Sequence, residues 1–154
     1  MAPLLECWPQ ALNTPPMPRW KCAACDREFG RSNQSHMCVP AISVDGYFAA
    51  RPARDREIFD SVLATLDEIG DVHIEAVSVG VLIKRSRTFA ELRPRRDGLG
   101  LSVLLSRALV HPRVTRTTRA SGERRAYTIP LRRPADVDDL VRAWLAESWS
   151  DSPL

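Results

Sequence analysis

Two pairs of soft ligands sit near the front of the chain: Cys22-x2-Cys25, then His36-x-Cys38 after an interval of ten residues. Thiolate sulfur and imidazole nitrogen at this spacing suit a tetrahedral zinc ion, bound at about 2.0–2.3 Å. A set closed by four protein ligands leaves no position for water, so its expected role is structural rather than catalytic. Cys22, Cys25, His36 and Cys38 are therefore expected to hold one structural Zn2+. The fourth cysteine, Cys7, is left over and is expected to be a free thiol.

Arginine carries a second chemistry. Residues 84–133 hold fourteen basic and three acidic residues, whereas residues 55–83 hold one and seven, and residues 134–154 one and five. A net charge of +3 hides this division. Lys84, Arg85, Arg87, Arg93, Arg95 and Arg96 form a candidate nucleic-acid or anion-binding patch, with a second cluster at Arg113, Arg116, Arg119, Arg124 and Arg125. Arginines at alternate strand positions share one sheet face, where guanidinium forks can meet phosphate oxygens. Only Phe89 and Tyr127 interleave them, which gives little support to stacking of unpaired bases. Lysine occurs only at Lys21 and Lys84, a bias that GC-rich coding produces as readily as selection for guanidinium groups.

Catalytic residues are not legible. Outside the metal set the histidines are His73 and His111, and neither lies in a nucleophile–base pattern. Glu91-Leu92-Arg93 has arginine where a paired-carboxylate nuclease needs lysine. A glycine-rich phosphate loop is absent from the sequence. The reading leans away from an enzyme.

The elements that must position these groups can be read from hydrophobic period. Prolines 3, 9, 15, 16 and 18 make residues 1–19 a tail, because proline removes backbone donors and forbids regular structure. Residues 20–38 form the zinc module, with Trp20 and Phe29 as its apolar partners and one or two helical turns, capped by Ser32 or Asn33, before His36. About twenty residues bury too little surface to fold alone, so metal must supply the folding energy. Residues 39–54 read as a linker in which Tyr47-Phe48 docks on the main domain. Ile58, Phe59, Val62, Leu63, Leu66 and Ile69 recur at helical spacing over 55–70, with Asp55 a candidate cap and Gly70 a left-handed stop. Alternation then predicts strands at about 72–78, 80–86 and 88–93, a hairpin turn at Arg95–Gly98, and strands through Leu99–Leu105 and Arg125–Leu131. The span 111–119 stays unassigned. Pro134 and Asp136, Asp138 and Asp139 open a closing helix over 134–149, and residues 150–154 are read as a tail.

The expected fold is thus α+β: an antiparallel sheet of about five strands, flanked by an N-terminal and a C-terminal helix on one face and preceded by the small zinc module, with 55–149 as the main domain. No run nears the roughly 18 apolar residues of a membrane helix, and no secretion signal opens the chain, so a soluble cytoplasmic protein is expected. Oligomeric state is not legible.

The pattern Trp20-x-Cys22-x2-Cys25-x-Arg27-x-Phe29-x-Arg31-x-Asn33-Gln34-x-His36-x-Cys38 resembles the short zinc-finger lead of some bacterial proteins in the family called domain of unknown function 5655. Lys84–Pro94, Pro134–Asp138 and Ala143–Glu147 resemble that domain's central strands and closing helix, so the resemblance spans roughly residues 20–149. It implies a fold without a reaction. The chain departs from the family at Ser78-Val79-Gly80-Val81, where a basic residue and an aromatic or aliphatic pair are usual. The function expected from all of this is binding of nucleic acid or another polyanion on the basic sheet face. The alternative is a ligand-binding protein or enzyme with a pocket between sheet and helices.

Overall fold

The computed structural model describes residues 18–36 and 38–152. The tail expected over 1–19 therefore lies outside the described residues except for Pro18 and Arg19, as does Cys7. A minimal hairpin comes first: β1 (Trp20–Lys21) pairs with β2 (Glu28–Phe29), Trp20 opposite Phe29. Next comes α1 (Val44–Ala49), inside the span read as a linker, with Ser43 accepting from Gly46 N to cap it. It buries Tyr47 and Phe48 against the main core.

The long helix α2 (Ala53–Ile69) starts after Pro52, two residues earlier than its apolar period indicates. Asp55 is not its cap. It sits in the first turn, buried and paired with Arg54 at 3.4 Å, where a carboxylate complements the helix dipole. Gly70 ends the helix at φ +154, ψ −167, a positive φ that is not the left-handed helical one. Ile58, Phe59, Val62 and Leu66 form the buried stripe.

Six strands come next: β3 (His73–Val77), β4 (Gly80–Lys84), β5 (Thr88–Arg95), β6 (Gly98–Leu105), β7 (Arg116–Arg119) and β8 (Arg125–Leu131). They pair antiparallel in the order β3-β4-β5-β6-β8-β7, giving a six-stranded sheet. The strand beyond the expected five is β7, whose Arg-Thr-Thr-Arg sequence has no apolar alternation because it is an edge with little to bury. A 3-10 turn (Pro134–Asp136) leads to α3 (Asp139–Ser150), capped by Asp138, which accepts from Val141 N at 3.1 Å. Packing continues past the helix, because Ser152 is buried within the span read as a tail.

Register assigns the faces. Val81, Leu92, Leu101 and Ile129 lie in one row across the sheet, and Ile83, Ala90, Val103 and Tyr127 in the next. Both rows face α2 and α3, and these side chains fill the sheet–helix interface at 0–2% exposure. An extra residue interrupts the pairing of β4 with β5: Ile83 opposes Ala90 but Lys84 opposes Thr88, leaving Phe89 as a bulge. Strict alternation would put Phe89 with Glu91 and Arg93; the bulge turns it into the core with Ala90 and Leu92. The fully buried Ser148 hydroxyl of α3 patches the interrupted ladder, accepting from Leu104 N at 3.1 Å and lying 2.5 Å from the Phe89 carbonyl.

Candidate metal centre and anion-binding face

The β1–β2 hairpin places the first two cysteines. Cys22 N donates to Arg27 O at 2.9 Å and Asp26 N to Cys22 O at 2.8 Å, closing a tight knuckle with Asp26 at φ +58. Amides of Ala24 and Cys25 point at the Cys22 sulfur and pull its pKa down to about 6. The anticipated helical turns before His36 are instead a single tight turn at Ser32-Asn33, with Asn33 at φ +55, followed by irregular chain. His36 is held in place by aromatic neighbours, its ring centroid 4.1 Å from Phe29 and 6.0 Å from Trp20. Its Nδ1 donates to Gln34 O at 2.6 Å, which leaves Nε2 as a free ligand atom.

Cys22, Cys25, His36 and Cys38 converge, with all four ligand atoms within 4.8 Å of one another. The His36 nitrogen lies 3.4 Å from Cys25 Sγ and 3.3 Å from Cys38 Sγ, and Cys22 Sγ lies 3.9 Å from Cys38 Sγ. A tetrahedral ion with metal–sulfur bonds of about 2.3 Å separates two sulfurs by roughly 3.8 Å. The cluster thus has the dimensions and donors of a metal centre. Loss of solvation and the neighbouring Cys22 sulfur push the Cys38 thiol up.

A buried ion network docks this module on the sheet. Arg27 meets Glu75 of β3 at 3.0 Å, and Lys84 of β4 pairs with the same carboxylate. Lys84 also lies 4.7 Å from the Phe29 ring centroid and within 3.5 Å of Glu28 O. Burial raises Glu75, but the hydrogen bonds from Arg27 and Lys84 outweigh it and hold the carboxyl below its ordinary value. Burial likewise lowers Lys84, an effect that Glu75 only partly offsets. The chains approach closely, since a Cβ on Gly30 would sit 2.2 Å from Ser86 O.

Lys84, placed in the basic patch by its sequence neighbours, is therefore a docking residue and turned inward. Arg85 stacks on Trp149 at 3.7 Å and reaches the Trp149 and Ser152 carbonyls, each at 3.4 Å. Arg87 is half-buried near Arg124, which is itself buried with Nε and Nη2 unpartnered. Arg113 pairs with Asp138 at 2.8 Å, and His111 meets Trp144 edge-on at 5.1 Å. Arg119 and Arg125 are exposed opposite one another on β7 and β8.

Arg93, Arg95 and Arg96 do come together, and Arg116 and Arg132 join them. All five line a concavity of about 730 Å³ on the sheet face that α2 and α3 leave uncovered. Glu91, Ser102, Thr128 and Arg116 form one row across this face, and Arg93, Gly100 and Pro130 the next. The Cys/His module sits on the same face at the β3–β4 side, because Glu75 and Leu82 continue the row of Glu91. Arg132 and the hydroxyls of Ser102 and Thr128 were not singled out from sequence; only the pairing of β6 with β8 reveals them.

A family model described as "Domain of unknown function (DUF5655)" matches residues 44–152. The chain belongs to the DUF5655 family. Its DUF5655 domain takes in α1 to α3 and the whole six-stranded sheet, whereas the Cys/His module precedes the matched span. No curated protein and no solved structure matches the chain. Among the described residues no helix is long and apolar enough to cross a membrane.

Proposed function

We propose that this DUF5655 protein binds polyanions on the uncovered part of its sheet, with a structural zinc ion holding the module that covers the rest. The observation that carries this reading is the gathering of five arginines around one concavity whose carboxylates are Glu91, already paired with Arg93 at 3.0 Å, and Asp97. Guanidinium forks on two strands and a turn offer convergent donors to phosphate or sulfate oxygens. Three thiolates and one imidazole, closed and tetrahedral in dimension, are the donor set of structural zinc. In that role zinc fixes the Cys22–Cys38 loop and leaves the contact with ligand to the sheet.

The test is chromatography of purified full-length protein on a heparin matrix, with metal content measured in parallel. Wild type should carry about one zinc per chain and elute late, at a salt concentration that falls with each of Arg93→Ser, Arg95→Ser and Arg116→Ser, because polyanion binding releases counterions. Flow-through of the wild type at low salt would sink the proposal.

A further inference from the structure

We infer that the ligand of the concave face is compact: a short polyphosphate group, read by its oxygens alone. This rests on the polyanion-binding reading and names its substrate class.

Size points this way. A volume of about 730 Å³ suits one small molecule and is not a track for a strand. The arginines converge rather than run in line. Arg93 and Arg95 reach in from β5, and Arg116 from β7, across the two strands β6 and β8 that separate them. Three inter-strand spacings put these walls about 14 Å apart, a gap that facing long side chains narrow to the width of a few oxygens. Arg96 and Arg132 close the end at the hairpin.

The floor supports the same conclusion. Gly100 leaves room for the stem of Arg95, whose Cδ would lie 3.0 Å from a Cβ there, so the guanidinium lies over the floor. Beside it the Ser102 and Thr128 hydroxyls are 2.8 Å apart. One proton is used between them, which leaves the other to donate to a ligand oxygen. Among the described residues no aromatic ring lines the concavity, so a base would find none of them to stack on. Among the described residues five guanidinium groups against two carboxylates leave three positive charges for the ligand to neutralise, about what two or three linked phosphates carry.

Calorimetric titration of the metal-loaded full-length protein tests this, using inorganic tripolyphosphate, ATP, orthophosphate and a short duplex DNA at one salt concentration. Tripolyphosphate should bind one per chain and more than tenfold tighter than orthophosphate, with ATP within about threefold of it. Ser102→Ala with Thr128→Val should weaken tripolyphosphate about tenfold, the size of a lost hydrogen bond to a charged group. Arg116→Ser, on an exposed edge strand where folding is not at issue, should weaken it at least as much. Retention on heparin without tripolyphosphate binding, or duplex binding that tripolyphosphate fails to displace, would overturn the compact ligand and leave the polyanion reading standing. Failure on both heparin and tripolyphosphate would remove both. ATP binding far tighter than tripolyphosphate would show that the base is read and would overturn the inference.

Discussion

Glu75 faces two buried cations, Arg27 and Lys84, and all three are at most 7% exposed. A buried ion network is weak evidence of net stability, but breaking it from one side is costly, because the remaining charges have lost their water and then their partner. Glu75→Gln should therefore destabilise the protein by about 3 kcal/mol or more, measured by urea unfolding, and lower the protection of the Cys22–Cys38 loop in hydrogen exchange. A loss below about 1 kcal/mol would mean that water reaches Arg27 and Lys84. The Cys/His cluster was legible because its chemistry is local: Cys-x2-Cys and His-x-Cys announce themselves by spacing. Glu75 and Lys84 were not. Their meeting is made by the β3–β4 register, which puts His73 opposite Lys84 and Glu75 two positions along. On sequence alone Lys84 is one more cation in a basic run.

At the scale of elements the hydrophobic period located both long helices and most strands, since one face of each is buried and alternates at its own period. It was silent on β7, an edge with little to bury, and misplaced Phe89, because a bulge adds a residue that no alternation rule anticipates. The bulge has a cost that α3 offsets. Near Phe89 the β5–β6 ladder ends at Ala90 opposite Val103, and the next amide, Leu104 N, turns to Ser148 Oγ at 3.1 Å. Ser148→Ala would leave Leu104 N without that acceptor and the Phe89 carbonyl without that donor, at 0% exposure of the hydroxyl's residue. Burying unsatisfied groups costs about 1–3 kcal/mol each, so the variant should lose about 2–4 kcal/mol in urea unfolding despite removing a single oxygen. Ser150→Ala, two positions on and exposed, should change stability by less than about 0.5 kcal/mol and serves as the control.

The described residues form one large core with a small one beside it. Cys22, Cys25, Phe29 and Trp20 form their own cluster, separate from the core that runs from Tyr47 to Leu145. Three buried residues cannot hold a fold by hydrophobic burial, and the β1–β2 pairing contributes just two residue pairs, Trp20 with Phe29 and Lys21 with Glu28. On the zinc reading the module's order comes from metal binding and from docking on Glu75 and Lys84, whereas the large core of α1 to α3 and the six strands packs on the opposite face of the sheet. Stripping metal with a strong chelator at neutral pH should therefore act locally. Amides of residues 20–36 should lose hydrogen-exchange protection while α2 and β3–β8 keep theirs, and the far-ultraviolet circular dichroism should change little. Polyanion binding should persist in the stripped protein, because Arg93, Arg95 and Arg116 stand on strands the module does not support. Readdition of one equivalent of zinc should restore the protection. Collapse of the sheet's protection on chelation would overturn the division into two cores, and loss of polyanion binding with the sheet intact would place the module inside the binding site rather than beside it.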